Sequence, residues 1–259
     1  MKDLKIYEAL AIDGAIAAGK ILMGHFNAIK DFKVKKDAGI VTKADTDSEA
    51  ALTKFFNNET PGFGILAEEN GAIGNDKIKW IIDPLDGTSN FFHGFPHFNV
   101  SIALECNSAV CVGVIYNPVT KDIYHCTKDG GAYKNKKQIQ VSSNKDLSNS
   151  MLGTGFAYMR GEPLDEALKL FKKFTYKSHG IRRPGAAALD LCYVAEGIYD
   201  GFYEKTLNAW DVAAGSLLIK EAGGTLSNYK GEALCIYNSE IVASNGYIHD
   251  QLIEVINSD

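Results

Sequence analysis

Two aspartates three residues apart, Asp83 and Asp86, lie in the run Trp80-Ile81-Ile82-Asp83-Pro84-Leu85-Asp86-Gly87-Thr88-Ser89-Asn90-Phe91. An apolar strand ends directly in Asp83, Pro84 fixes one backbone dihedral, and the spacing lets both carboxylates turn toward one point. Gly87 and Thr88 suit a tight turn into a following element, where exposed N–H groups or a helix N-terminus could hold a phosphate. Two carboxylates beside an anion would repel it. A divalent cation removes that conflict, and an all-oxygen ligand set without clustered His or Cys points to Mg2+.

Other acids stand at comparable places. The run Gly64-Ile65-Leu66-Ala67-Glu68-Glu69-Asn70 ends an apolar strand in paired glutamates, and Asn208-Ala209-Trp210-Asp211-Val212-Ala213-Ala214-Gly215 puts Asp211 at the start of an apolar helix. Each alone could be a solvated acid or, for Asp211, a helix N-cap. Three acidic element ends in one chain favour a shared site.

Two further patterns fall short of the chemistry they imitate. Gly14-Ala15-Ile16-Ala17-Ala18-Gly19-Lys20 has the spacing of a P-loop up to its lysine. Ile21, however, stands where a metal-binding Ser or Thr is needed, and the segment continues a helical pattern instead of following a strand. His93 and His97 have the spacing of two zinc ligands on a helix, but Gly94 and Pro96 would interrupt that helix, so packing histidines are expected.

The elements that must position the acids can be read from periodicity. Leu4, Ile6, Tyr7, Leu10, Ile16, Ile21, Leu22 and Phe26 predict a long amphipathic helix from Leu4 to Phe26. Lys33 to Thr42 reads as a loop or hairpin leading to a second helix, Thr46 to Phe56. Phe63 to Ala67 and Trp80 to Ile82 read as buried strands. From Asn99 to Val141, short runs rich in Val, Ile and Tyr, broken by Asn117-Pro118, Asp129-Gly130-Gly131 and Lys134-Asn135-Lys136, predict an antiparallel meander.

After the Ser/Asn-rich segment Ser142 to Ser150 the elements alternate again. A strand from Met151 to Gly155, helices from Pro163 to Phe174 and Pro184 to Ala195, and a strand from Ile198 to Tyr203 are expected. A helix from Ala209 to Ala222, strands near Gly224 to Asn228 and Glu240 to Ser244, and a closing helix from Tyr247 to Ile256 complete the chain. The boundary falls at residues 142 to 150. It separates an N-terminal part, 1–145, carrying most of the candidate metal ligands, from a C-terminal part, 146–259, carrying Asp211.

Composition narrows the function classes. The chain of 259 residues is 46% hydrophobic and 23% charged, an ordinary globular balance. Its formal net charge of -5 argues against a generic nucleic-acid surface, which needs clustered Lys and Arg. Any phosphate it binds must find positive charge in metal ions. The opening MKDLKIYEAL does not read as a secretory signal, and no apolar run approaches the roughly 20 residues that span a bilayer. Cys106, Cys111, Cys126, Cys192 and Cys235 are odd in number and mostly inside apolar segments, the pattern of reduced, buried thiols in a cytoplasmic protein.

The run Asp83 to Asn90 resembles the signature of the inositol monophosphatase family, and Trp210-Asp211 followed by Ala213-Ala214-Gly215 resembles its second signature. Glu68-Glu69 stands at the expected interval upstream, and the order of elements matches from first helix to last. The resemblance implies an α+β fold of layered αβαβα type, usually a homodimer, and Mg2+-dependent, lithium-sensitive hydrolysis of a small phosphate monoester. It implies one metal held by Glu68, Asp83 and the carbonyl of Leu85, a second by Asp83, Asp86 and Asp211, and a third, weaker one near Glu68. Asp45 would pair with Thr88 to orient the attacking water. Gly87, Thr88 and Ser89 would meet the phosphate, while Glu204 and the Gly185-Ala186-Ala187 turn would contact the alcohol portion.

Within that resemblance inositol 1-phosphate is the first substrate expected. Fructose 1,6-bisphosphate, 3'-phosphoadenosine 5'-phosphate, histidinol phosphate and NADP(H) are the enzymatic alternatives. Gly180-Ile181-Arg182-Arg183-Pro184-Gly185-Ala186-Ala187-Ala188-Leu189-Asp190-Leu191 is more similar to bacterial inositol monophosphatases than to the nucleotide-directed or histidinol-phosphate members, but Ala186 stands where Ser or Thr is common. A regulatory partner of the transcription machinery is the reading from another class. An inactive scaffold would not need Asp45, Glu68, Asp83, Asp86, Thr88 and Asp211 all in place.

Overall fold

Helix α1 (Leu4–His25) carries the P-loop lookalike wholly within its body in the computed structural model, which describes residues 4–29, 31–35, 39–156 and 159–258. Gly14 and Gly19 of that segment are packing sites: a Cβ on Gly19 would stand 2.5 Å from the Tyr116 ring. The predicted hairpin is present as β1 (Lys33–Lys35) and β2 (Gly39–Val41), paired antiparallel. Its tip, residues 36–38, lies outside the described residues.

Helix α2 (Lys43–Glu59) begins three residues before the expected Thr46. Thr42 caps it: its hydroxyl accepts from Ala44 N–H, and the Asp45 carboxylate reaches back to Thr42 N–H in a capping box. At its other end Phe56 stacks on Trp80, centroids 4.2 Å apart, and Trp80 Nε1 donates to Thr60 Oγ1 at 2.9 Å. Burying two such rings contributes roughly 1.5–3 kcal/mol each and fixes α2 against the strand that carries Asp83.

That strand belongs to an eight-stranded sheet formed by β3 (Gly64–Ala67), β4 (Gly71–Ile73), β5 (Ile78–Asp86), β6 (Asn99–Cys106), β7 (Ala109–Asn117), β8 (Asp122–Thr127), β9 (Ala132–Lys134) and β10 (Lys137–Gln138). The order is β10-β9-β8-β7-β6-β5-β3-β4. Only β3 and β5 run parallel; the meander from β6 onward is antiparallel, as expected. Between β5 and β6 the short helix α3 (Thr88–Phe92) follows Gly87, whose φ of 86° lies in the left-handed region that glycine tolerates.

A second, five-stranded sheet has the order β12-β11-β13-β15-β14. It contains β11 (Met151–Gly155), β12 (Gly180–Arg182), β13 (Gly201–Lys205), β14 (Thr225–Ser227) and β15 (Glu240–Ser244). Helices α4 (Glu162–Lys177), α5 (Ala187–Ala195), α6 (Ala209–Glu221) and α7 (His249–Asn257) connect and close it. Several expected starts move inward, the closing helix from Tyr247 to His249 among them. The predicted helix from Pro184 begins at Ala187, and the predicted strand from Ile198 begins at Gly201.

The layers run α1 and α2, the eight-stranded sheet, α5 and α6, the five-stranded sheet, then α4 and α7. The fold class is therefore α+β in the expected αβαβα stack. The middle layer comes from the C-terminal half of the sequence, yet α6 packs on β5, β6, β7 and β8. One apolar cluster accordingly joins Ile81, Ala103 and Ile115 of the first sheet to Leu191, Ala213 and Phe202. Residues 139–150 mark where one sheet's strands give way to the other's. Among the described residues no helix is long and apolar enough to cross a membrane.

Candidate active site

Parallel strands deliver the acids. In the β3–β5 register Ala67 pairs with Ile82, so Glu68 follows the end of β3 beside Asp83. Strand β5 does not stop at Asp83 as expected but runs on to Asp86, because β6 continues to pair with it. On its other side β5 pairs Asp83 with Ser101 and Asp86 with Asn99, leaving one extra residue on β5. The bulge contains Pro84, which has no N–H to lose there, and it swings Asp86 toward the same side as Asp83. In the second sheet Gly155 of β11 pairs in parallel with Glu204 of β13. Asp211 sits in the first turn of α6.

All these ends border one cleft of about 760 Å³. Its walls hold Glu68, Asp83, Leu85, Asp86, Gly87, Thr88, Ser89, Gly185, Ala186, Ala187, Glu204 and Asp211. Every sequence-predicted site residue is thus at the cleft surface except Asp45. Asp45 is fully buried behind it, where Oδ1 accepts from the Thr88 hydroxyl at 2.8 Å and Oδ2 accepts from Thr42 N–H and Oγ1 at 2.8 and 2.6 Å. Thr88 Oγ1 also lies 3.0 Å from the Leu85 carbonyl, but its single hydrogen has the stronger, anionic acceptor in Asp45.

Each carboxylate has its own anchor. Asp83 accepts from Leu85 N–H at 2.9 Å, and Asp211 accepts from Asn208 N–H at 2.6 Å as half of a capping box. The helix-cap role and the site position of Asp211 therefore coexist. Asp86 Oδ2 takes Asn99 Nδ2 at 2.7 Å and Ala188 N–H at 2.9 Å. Helix α5 has no side-chain cap of its own at Ala186, so a carboxylate from the other half of the chain fills that place.

Electrostatics show what the cleft would accept. Burial, then the charges of Glu68, Asp86 and Asp211, drive Asp83 well above the usual carboxylate range. Burial pushes Asp86 up to about 6, and pushes both Asp211 and Glu204 up to about 8, with neighbouring acids adding to the last two. Among the described residues no three His, Cys, Asp or Glu are already arranged to hold a metal ion; Asp83, Asp86 and Asp211 each accept from a backbone N–H. Desolvated, mutually repelling carboxylates with oxygen donors only are the environment that a hard divalent cation fits.

Several participants had no role in the sequence reading. Asn90 Nδ2 points at the carbonyls of His97, Pro184 and Gly185, at 2.8, 2.9 and 3.3 Å, and so ties the Gly87 turn to the Gly185 turn. Buried Glu49 accepts from Glu69 N–H, Asn70 N–H and Asn70 Nδ2 at 2.8, 2.9 and 2.6 Å, pinning the turn that starts at Glu68. Arg160 and Arg183 line the cleft. Asn90 sits inside the first motif and could have been singled out there. Glu49 and the arginines carry no local signal.

A model of the inositol monophosphatase family matches residues 3–258. The chain belongs to the inositol monophosphatase family. It is 38% identical over 257 residues to an inositol-1-monophosphatase of Synechocystis, covering 98% of this chain and 90% of that protein. It is 39% identical over 224 residues to a Xylella fastidiosa protein named Nus factor SuhB, covering 86% and 82%. The crystal structure of extragenic suppressor protein suhB from Bartonella henselae matches with a TM-score of 0.93 at 35% identity, covering 98% of this chain and 99% of that one.

Membership makes the chain a phosphatase, a phosphoric monoester hydrolase, in a family that is generally metal-dependent. The expected packing histidines are met only in part. His97 is buried against Phe95 and Tyr193, and that burial pushes it down to about 4, but its Nε2 has no hydrogen-bond partner among the described residues. His93 is exposed, edge-on to its neighbour Phe92. All five cysteines are free, with Cys235 alone exposed.

Proposed function

We propose that the cleft hydrolyses a small phosphorylated polyol, inositol 1-phosphate first, by direct attack of water on phosphorus with Mg2+ as cofactor. The observation that carries this reading is the arrival of Glu68, Asp83, Asp86 and Asp211 from three elements at one cleft, with the Asp45–Thr88 pair behind it. Glu68, Asp83 and the Leu85 carbonyl would hold one Mg2+; Asp83, Asp86 and Asp211 a second; and Glu68 a weaker third. Bound there, magnesium supplies the positive charge that acidifies water and stabilises the leaving oxygen.

The protein's own groups supply direction. Asp45 takes the Thr88 hydroxyl hydrogen, which leaves the Thr88 oxygen free to accept from the attacking water and fix its line of approach. Gly87, Thr88 and Ser89 meet the phosphate. Glu204 accepts from a hydroxyl of the alcohol, whose face rests on Gly185, Ala186 and Ala187. The Ala186 methyl lies close over Gly87, so this wall of the pocket is apolar where a hydroxyl is common in the family. The water oxygen joins phosphorus as the bond to the alcohol oxygen breaks, and that oxygen leaves with a proton.

A homodimer accompanies this reading. Helix α4 buries only Phe174 among its residues and leaves Leu168 43% exposed, an apolar face that a second copy would cover. Li+ and Ca2+ should inhibit; Ca2+ suits the carboxylates but prefers longer, looser coordination than Mg2+. The name of the Xylella relative favours a second role as a partner in transcription, which an inactive Asp211→Asn variant that still bound such a partner would separate from catalysis. The substrate is tested by kcat/KM on inositol 1-phosphate, fructose 1,6-bisphosphate, 3'-phosphoadenosine 5'-phosphate, histidinol phosphate and NADP(H). A clear preference for any of the last four would displace inositol 1-phosphate.

A further inference from the structure

Two thiols that the phosphatase chemistry does not use lie against each other at the far end of the eight-stranded sheet. Cys106 ends β6 and Cys111 lies near the start of β7, with their Sγ atoms 2.8 Å apart. A disulfide bond is about 2.04 Å long, so the sulfurs need to close by only about 0.8 Å. Both are buried, at 6% and 2% exposure.

The placement depends on a bulge. Leu104 pairs with Val112 and Glu105 with Val110, so Cys111 is the extra residue opposite that step. In a regular strand Cys111 would face away from its neighbour Val112. Here both residues belong to the apolar cluster that also contains Leu104 and Cys106. The bulge turns the Cys111 side chain onto the face of Cys106, the re-aiming that an inserted residue permits. Asn107 and Ser108, both at positive φ, close the hairpin tightly beneath the pair.

We propose that Cys106 and Cys111 form an oxidisable dithiol site, converted by a peroxide to a reversible disulfide across the β6–β7 hairpin. Cys106 is the more exposed of the two, and the Cys111 S–H has both the Cys106 sulfur, at 2.8 Å, and the Leu104 carbonyl, at 3.4 Å, within reach. Burial, followed by the Cys106 contact, pushes the Cys111 thiol up, and the more exposed Cys106 is the sulfur that a peroxide reaches first. The Cys106 sulfur takes one peroxide oxygen, the O–O bond breaks, and the first water leaves. Cys111 sulfur then attacks that sulfenic acid; the S–S bond forms, the S–O bond breaks, and the second water leaves. Two thiols lose two electrons and two protons, and one peroxide becomes two waters.

The test uses the full chain carrying Cys235→Ser, which removes the one exposed thiol and touches nothing in the cleft. The protein is treated with stoichiometric hydrogen peroxide, denatured, alkylated and mapped by mass spectrometry. The expected product has lost two hydrogens, carries a link between Cys106 and Cys111, leaves Cys126 and Cys192 alkylated, and reverts with dithiothreitol. Full alkylation of Cys106 and Cys111 after treatment, or separate oxidation of either to sulfinic acid without a link, would overturn the proposal. Because the map is read on a chain with both thiols intact, no loss of folding in a cysteine variant can obscure it.

Discussion

Gly155→Ala should damage the alcohol pocket through one side chain. A Cβ at Gly155 would stand 2.1 Å from Glu204 Oε1 and 2.3 Å from its Cδ and Oε2, whereas real Cβ contacts essentially never fall under 3.0 Å. The carboxylate must therefore retreat by about 1 Å, and being the flexible end of its side chain it can do so without parting β11 from β13. That keeps the stability cost near the low end of overpacking, about 1 kcal/mol, or about 2–4 °C in Tm. The displaced carboxylate would lose its proposed bond to a substrate hydroxyl, about 1.5–3 kcal/mol, so kcat/KM on inositol 1-phosphate should fall about 10- to 150-fold. Hydrolysis of 4-nitrophenyl phosphate, whose leaving group has no hydroxyl to offer, should hardly change. In a Glu204→Ala background the new methyl meets no carboxylate, and Gly155→Ala should then cost little in either assay. Additive losses across this double-mutant cycle, or equal losses on both substrates, would refute the assignment of Glu204 to the alcohol pocket.

Thr88→Ala keeps every proposed metal carboxylate but removes the hydroxyl between Asp45 and the cleft, so turnover should fall about 10²–10⁴-fold while Mg2+ affinity by calorimetry changes little; a parallel loss of affinity would make Thr88 part of the metal site's framework. Glu49→Gln places an amide where three N–H donors converge, and the half-saturating Mg2+ concentration should rise about 10- to 100-fold. An unchanged Mg2+ requirement would show that the turn after Glu68 holds without Glu49. The Glu8–His125 pair, 2.9 Å apart between α1 and β8, should set a stability window in pH. Burial opposes both charges, but their mutual hydrogen bond prevails: His125 rises above 6.5, so its contribution is full below that pH and lost as pH climbs through the raised value. Glu8 drops below 4.5, so its contribution is full above that pH and lost as pH falls through the lowered value. The Tm difference between the natural chain and Glu8→Gln should peak between about pH 4.5 and 6.5, and a flat difference from pH 3 to 9 would discount the pair.

The acids were legible because an apolar run that stops at Asp83 or at Glu68 needs no partner to be seen, although β5 itself continues to Asp86 through its pairing with β6. The capping box Thr42 to Asp45 is also a local pattern, but hydrophobic periodicity begins only at Thr46, three residues after the helix starts at Lys43. Helix α3 and strands β4 and β12 are too short for periodicity to register. The ties that assemble the cleft were invisible for another reason. Asp86 meets Ala188 N–H across 102 residues, and Asn90 meets Gly185 across 95. Neither spacing leaves a local pattern. The Cys111 bulge is likewise set by pairing with β6, which sequence alternation alone does not reveal.

Phosphate release from inositol 1-phosphate tests most directly the proposal that the converging carboxylates serve a magnesium-dependent phosphatase of a polyol ester. Metal-stripped protein should release no phosphate above the no-enzyme rate, added Mg2+ should restore turnover, and Asp86→Asn should remain slower by orders of magnitude even at saturating Mg2+. Turnover of stripped protein at the full rate in the presence of a chelator, or Asp86→Asn matching the natural chain, would contradict the account.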